Sequence, residues 1–304
     1  MLATLKQVLA KANKGKYAVG AFNINNLEII QSVVNAAAKL KSPVILQTSE
    51  GAIKYAGMKY LKVMVAEAAE ENKIPIVLHI DHGRDLEIIK EAIKTGYTSV
   101  MIDGSHLPFD ENVAVTKKVV GWAHAKGVSV EGELGTIGGA EEKIVARKII
   151  YTDPAVAKEF VDKTGVDALA VAIGTSHGAY KFAGAAKLDI ERLRIIKKIL
   201  NMPLVLHGAS GVPDWLVHTA EHYGAKLGKP GGVPDDQIKA AIKNGINKIN
   251  TDTDIRLAFD AGVREVIATA PEEFDPRHIL GRARELMQDV VEHRIKLFGS
   301  VNKA

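Results

Sequence analysis

Short, almost wholly apolar runs alternate with longer helix-patterned segments along this chain, and that alternation restricts the fold more than any other property. Runs with strand character lie at Tyr17–Phe22, Pro43–Gln47, Ile76–His79, Ser99–Ile102, Ser129–Glu133, Ala168–Ile173, Leu204–His207 and Lys248–Asn250. Between them, Leu27–Leu40, Tyr60–Asn72, Leu86–Thr95, Asn112–Ala125, Pro154–Thr164, Ile190–Ile199 and Pro234–Asn244 read as helices. A strand that does not alternate polar with apolar residues is buried on both faces, which calls for a parallel sheet covered by helices. Eight such units within 304 residues predict an α/β fold, a (β/α)8 TIM barrel forming one domain over residues 1–304. A helix over Arg282–Leu297 is expected either to close the barrel bottom or to pair with another subunit. A doubly wound open sheet is the alternative. It usually carries a Gly-rich turn after its first strand, where this chain has Phe22-Asn23-Ile24-Asn25.

Composition removes several classes of function. There is no cysteine, so a disulfide framework, an Fe–S cluster and a cysteine nucleophile are excluded. Any metal must be held by His, Asp, Glu or backbone oxygen. The lack of cysteine fits a cytoplasmic protein and equally life at high temperature. The segment MLATLKQVLAKANKGKY has no apolar core of a signal peptide, and no run approaches the roughly 18 apolar residues of a membrane span. The net charge is only +4, the lysines are scattered, and aromatic residues at 5% are too few for a stacking platform, so nucleic-acid binding is not expected.

Two stretches interrupt the alternation. Gly135–Ile150 reads as a long mobile loop after the fifth strand, and His222–Val233 as a Gly-rich surface connection. There is no repeat of fixed period.

In a barrel of this kind the chemistry sits at the C-terminal ends of the strands. Those ends carry Asn23, Ser49, Asp81 with His82, Asp103, Glu133, His177, His207, and Asn250 with Asp252. Three apolar runs end in His-Gly, at His82, His177 and His207. Imidazoles converging from three strands, with a position left open, suit a catalytic zinc ion acting as a Lewis acid on a carbonyl or enolate oxygen. His79, His106, His124, His218, His222, His278 and His293 read as structural or surface residues. Asp81 is read as a general acid/base beside the metal, the other reading being a carboxylate that orients His82. Asp103 and Glu133 can orient ligands, hold another metal or cap loops. Glu131 and Glu133, at i and i+2, can both point inward.

Two further motifs fit phosphate. HGASG, His207–Gly211, is a small-residue turn whose N–H groups can cradle an anion, and NTDTD, Asn250–Asp254, leads into a helix N-terminus. Loops after the seventh and eighth strands often bind phosphate in barrels. Lys181, just after His177, can add a charge. An enolate can be stabilised by a lysine Schiff base or by a metal. No predicted strand ends in a buried lysine, so the metal route is the one this chain supports.

HIDHG, MIDGS, EGELG, GTSHGAYK, LVLHGASG and INKINTDTDIRLAF, in this order and spacing, closely resemble the class II, metal-dependent fructose-1,6-bisphosphate aldolases, B-type subgroup. The resemblance runs from GAFNINN to LFGS. It implies reversible cleavage of fructose 1,6-bisphosphate to dihydroxyacetone phosphate and glyceraldehyde 3-phosphate, by a homodimer or homotetramer. It implies zinc on His82, His177 and His207, and a second divalent-metal position at Asp103 and Glu133. It implies Asp81 as the acid/base at the hydroxyl of the breaking bond, and Glu141, with Glu142 adjacent, as the carboxylate that moves the proton on the three-carbon ketone. Gly178, Gly208, Ala209, Ser210, Asn250, Asp252 and Thr253 match the dihydroxyacetone phosphate site, Ser49 the aldehyde side, and Lys181 and Arg256 join the substrate residues. A Na⁺ or K⁺ site near Gly178 and Ser210 is also implied. The chain departs from the family at Gly132, where alanine is usual and a looser strand is expected, and in a Gly135–Ile150 loop that looks short. Tagatose-1,6-bisphosphate aldolase, a metal-dependent hydrolase and a non-catalytic barrel that binds sugar phosphates are the alternatives.

Overall fold

The computed structural model describes residues 1–136, 138–141, 144–146, 149–177, 187–228 and 230–304, with 138–141, 144–146 and 177 described in backbone only. The strands are β1 Val19–Asn23, β2 Val44–Thr48, β3 Ile76–Gly83, β4 Ser99–Ile102, β5 Ser129–Leu134, β6 Gly138–Glu141, β7 Ile144–Ala146, β8 Ala168–Val171, β9 Ser176–His177, β10 Leu204–Leu206 and β11 Ile246–Thr251. The helices are α1 Leu5–Gly15, α2 Leu27–Lys39, α3 Glu50–Ala56, α4 Met58–Glu71, α5 Leu86–Thr95, α6 Phe109–His124, α7 Pro154–Thr164, α8 Ile190–Leu200, α9 Asp214–His222, α10 Asp235–Lys243, α11 Thr253–Thr269 and α12 Pro276–Phe298. Eight strands close a parallel barrel in the order β1-β11-β10-β8-β5-β4-β3-β2, as the uninterrupted apolar runs predict.

The period-2 geometry of a strand decides what lies inside. On β3, Leu78 and Ile80 join the outer core under the helices, while Val77 belongs to the inner one. The inner core sits in the lower half of the barrel, where Val19, Ala21, Ile45, Val77, Ala168, Ala170 and Val205 meet Leu5, Val8, Leu9 and Ala12 of α1. The residues before β1 therefore form the plug that closes the bottom. Thr4 and Gln7 make a capping box that starts this helix. Each buried Leu or Val on it contributes roughly 1.5–3 kcal/mol.

The C-terminal helix does not close the bottom. It packs along the side of the barrel against α11 and α2. Gly262 of α11 allows this approach, because a Cβ there would lie 2.5 Å from Ala283 Cα. Gly132 leaves no looseness either: Phe160 and Val166 side chains fill its space, 3.0 and 3.1 Å from where a Cβ would be. The stretch expected as a loop, Gly135–Ile150, contains β6 and β7, which pair antiparallel, while β6 pairs in parallel with β9. The His222–Val233 connection is not wholly superficial. Val233 is buried and its N–H donates to Ser210 O at 3.0 Å.

Candidate active site

Above its apolar lower half, the barrel interior becomes polar. His79, Asp81, Glu131, Glu133, His207, Lys248 and Asn250 are all buried there. They belong to β3, β5, β11 and the end of β10, on inward positions two residues apart along each strand.

Asp81 is held by three carboxamides. Asn23 and Gln47 donate to its Oδ2 at 3.0 and 3.1 Å, and Asn250 donates to Oδ1 at 2.9 Å. Gln47 also donates to Asn23 Oδ1 at 2.7 Å. Four strands thus fix the plane of one carboxylate. Gln47 Oε1 and Asn250 Oδ1 are buried acceptors with no partner among the described residues.

A regular strand would send Asp81 and His82 to opposite faces. Here β3 bulges: Ile80 pairs with Val100 but Gly83 with Ile102, so β3 carries one residue more than β4. His82 absorbs the bulge at φ 48°, a left-handed conformation costing on the order of 1–3 kcal/mol for a non-glycine residue. Its N–H donates to Met101 Sδ at 3.3 Å. The bulge brings His82 Nε2 to 2.8 Å from His207 Nδ1.

The far nitrogen of each ring meets a carboxylate. His207 Nε2 lies 2.7 Å from Glu131 Oε1, and Lys248 Nζ lies 2.9 Å from Glu131 Oε2. His79 completes this layer, with Nδ1 2.8 Å from Ser99 Oγ and Nε2 3.6 Å from Glu131. His82 Nδ1 lies 3.3 Å from Asp103 Oδ2. Arg84 donates to that same oxygen through Nε and Nη2, at 3.0 and 2.8 Å. Carboxylates behind imidazoles fix tautomer and ring orientation, and they leave the near nitrogens to share one point.

The charges shift accordingly. Burial opposes protonation of His82, but the Asp81 charge, the Asp103 hydrogen bond and the Glu133 charge together push it up to about 10. Burial first, and then the Asp103 charge, push Glu133 up to about 8. Asp103 is buried too, yet its hydrogen bond with His82, the His82 charge, Ser105 and Arg84 hold it well below the usual carboxylate range. Burial and the Lys248 charge keep His79 well below its ordinary value, hence neutral.

Two sets of side chains can bring ligand atoms within 4.8 Å of one another: Asp81, His82 and His207, and His82, Asp103 and Glu133. The first set fits a zinc ion. The donors are imidazole and carboxylate, and the buried Glu133 Oε2, without a hydrogen-bond partner among the described residues, stands 3.6 Å from His207 Nδ1, the nitrogen that faces His82. Zinc takes a neutral imidazole, so the raised His82 makes uptake a competition with protons. Below about pH 10 binding should release a proton, and affinity should weaken about tenfold for each pH unit lowered. Calorimetry in buffers of different ionisation enthalpy measures this; uptake at neutral pH without proton release would refute it.

These groups open into a cleft of about 820 Å³ whose walls include Asn23, Ser49, Asp81, His82, Arg84 and Arg256. Ser49 caps α3, its side chain accepting from Ala52 N at 3.1 Å. Arg256 pairs with Asp252 through Nε and Nη2, at 2.9 and 2.7 Å. Gly208, Ala209 and Ser210 form the turn after β10, and Thr253 starts α11 beside it, where Asp252 N donates to Ser210 Oγ at 3.3 Å. The end of this turn is strained, with Val212 at φ 47°. Buried Asp254 steadies it, accepting from Gly211 N and Val212 N at 3.2 and 2.8 Å, and Arg294 of α12 pairs with Asp254 at 2.7 Å. Those two N–H groups are committed to Asp254, so an anion at the turn would be met by its earlier residues and by the N-terminus of α11.

Of the residues singled out in the sequence, Asp81, His82, His207, Asp103, Glu133 and Asn250 converge. For His177 and Glu141 only the backbone is described: Gly139 pairs with His177, placing Glu141 two residues further along β6. Gly178, Lys181 and Glu142 lie outside the described residues. Sequence reasoning passed over Gln47 and Arg84 and left Glu131, His79 and Lys248 without a role at the site. Strand parity from Asp81, Glu133 and Asn250 points to His79, Glu131 and Lys248.

Comparison with known proteins gives this constellation its context. The family model described as fructose-bisphosphate aldolase class-II matches residues 3–303. The fructose-bisphosphate aldolase of Giardia intestinalis is 51% identical, covering 100% of this chain and 94% of that one. That of Thermus caldophilus is 50% identical, with both chains covered in full. The crystal structure of the YdjI aldolase from Escherichia coli K12 superposes with a TM-score of 0.83 at 34% identity, covering 100% of each chain. A match over nearly the whole length, onto a closed barrel with its polar residues gathered at the strand ends, identifies the chain as a member of the class II fructose-bisphosphate aldolase family.

Proposed function

We propose that this protein reversibly cleaves fructose 1,6-bisphosphate into dihydroxyacetone phosphate and glyceraldehyde 3-phosphate, with one zinc ion on His82, His177 and His207. The observation that carries the reading is a buried carboxylate, Asp81, fixed by three amides immediately beside two imidazoles whose near nitrogens are 2.8 Å apart. Zinc, when bound, supplies a Lewis acid for the ketone oxygen. Asp81 takes the proton from the hydroxyl at the breaking bond, whose electrons pass toward the carbonyl. Buried Gln47 Oε1 and Asn250 Oδ1 offer acceptors to sugar hydroxyls. Glu131 holds His207, and Asp103 holds His82, in the ring orientation the ion requires. Glu133 Oε2 lies 3.6 Å from His207 Nδ1 and 3.8 Å from His82 Nδ1, behind the zinc position.

We assign one phosphate to Gly208–Ser210, Asp252 and Thr253, and the other to the Ser49 and Arg256 end of the cleft. Glu141 is assigned the proton on the three-carbon ketone by family resemblance. Assembly into a homodimer or homotetramer is assigned by family resemblance. No described helix is long and apolar enough to cross a membrane; the absence of cysteine supports placing the enzyme in the cytoplasm.

The test is cleavage of fructose and tagatose 1,6-bisphosphates before and after EDTA, then with Zn²⁺ restored. Faster cleavage of the fructose substrate, lost with chelator and recovered with zinc, is expected. A strong tagatose preference would overturn the substrate assignment, and chelator-resistant cleavage the metal.

A further inference from the structure

We propose that Arg84 is the resident cation at Asp103 and that it closes the second divalent-metal position, so that each chain holds one divalent ion at its centre. This rests on the zinc site proposed above and departs from the two positions that the family resemblance implies.

The donors around Asp103 carry the inference. Its Oδ1 accepts from Ser105 N at 3.2 Å and Ser105 Oγ at 2.7 Å. Its Oδ2 accepts from Arg84 Nε and Nη2 at 3.0 and 2.8 Å, and faces His82 Nδ1 at 3.3 Å. A carboxylate offers about four lone-pair directions. Five donors converge on this one, and Asp103 is only 2% exposed. No direction remains for an ion.

The other two members of the second set give no compensation. An imidazole that ligates through one nitrogen keeps its proton on the other. With His82 Nε2 turned to His207, its Nδ1 is the donor toward Asp103. Glu133 Oε2 accepts no hydrogen bond from the described residues, and a single oxygen does not make a site.

Arg84 is built into place. The β3 bulge ends at Gly83, and the N–H groups of Arg84 and Asp85 both donate to Glu50 Oε1 at 2.8 Å. The chain leaving β3 is thereby tied to α3, and the guanidinium returns over Asp103. Arginine cannot step aside by losing its proton, as a lysine can. Its fork fills one carboxylate oxygen and its charge repels a divalent cation.

The experiment is metal counting on the zinc-loaded full chain. The protein is dialysed to equilibrium against rising Zn²⁺ or Mn²⁺, and bound metal is read by plasma emission spectrometry. Wild type is expected to stop at one ion per chain. Arg84→Ala is expected to reach two, and Arg84→Ala with Asp103→Asn to return to one. Arg84→Lys separates charge from geometry: its single charge lacks the fork, and an intermediate affinity for the second ion is expected. A second ion in wild type that is lost in Asp103→Asn overturns the proposal, whatever the fate of the variants. Failure of Arg84→Ala to gain an ion while still binding the first also overturns it. If instead wild type bound no ion and cleaved neither bisphosphate, the zinc-aldolase reading would have failed, a result distinct from either of these.

Discussion

Replacing Asp81 with alanine is expected to slow aldol cleavage by about 10²–10⁴-fold, the usual contribution of a positioned acid/base, while zinc stays bound. The expectation follows from its surroundings. Three amides from three other strands hold the carboxylate, so its position is a property of the barrel and not of its own rotamer. Truncation strands those donors in a buried site, at about 1–3 kcal/mol for a group left unpaired. Asp81→Asn is the companion variant, because it keeps the volume and removes the base. Rate and zinc content must be measured together. Asp81 also stands within ligand distance of the two histidines. Loss of metal in Asp81→Asn would make it a ligand, and undiminished turnover would remove it from the chemistry.

His207→Ala is expected to strip the zinc and with it the activity. The Lewis acid supplies several kcal/mol to a developing enolate, so cleavage should fall by about 10³-fold or more. His207 is fully buried between His82 and Glu131. Its removal takes away a near nitrogen at the metal and the imidazole partner of Glu131, which Lys248 still pairs at 2.9 Å. The surviving ion pair keeps the variant foldable, and circular dichroism checks that it is folded. Zinc content is then the decisive reading. A folded His207→Ala that retained one zinc per chain and turned over normally would move the metal centre elsewhere.

The alternation of apolar strands with amphipathic helices made the barrel legible, because a strand buried on both faces leaves few architectures open. The polar residues at the strand ends were legible for the same reason, since the fold decides where strand ends meet. Other features left weaker traces. The plug at the barrel bottom is the N-terminal segment, whose sequence shows only that it lacks a signal-peptide core, and the C-terminal helix, amphipathic enough for that place, lies along the side instead. Only the shape of the barrel mouth and the packing of α11 on α12 decide between two amphipathic helices for one opening.

At the site the division is sharper. The sequence alone determined the chemical repertoire: no thiol, three histidines after buried runs, and carboxylates at neighbouring strand ends. Tertiary structure alone decided which atoms face which. Adjacent residues Asp81 and His82 share a site only because β3 bulges and His82 adopts φ 48°. Asp103, a plausible ligand by composition, is saturated by donors from Ser105, His82 and Arg84. Residue types set what a position can bind. Direction and competition for lone pairs set what it does bind, and both depend on neighbours brought from distant parts of the chain.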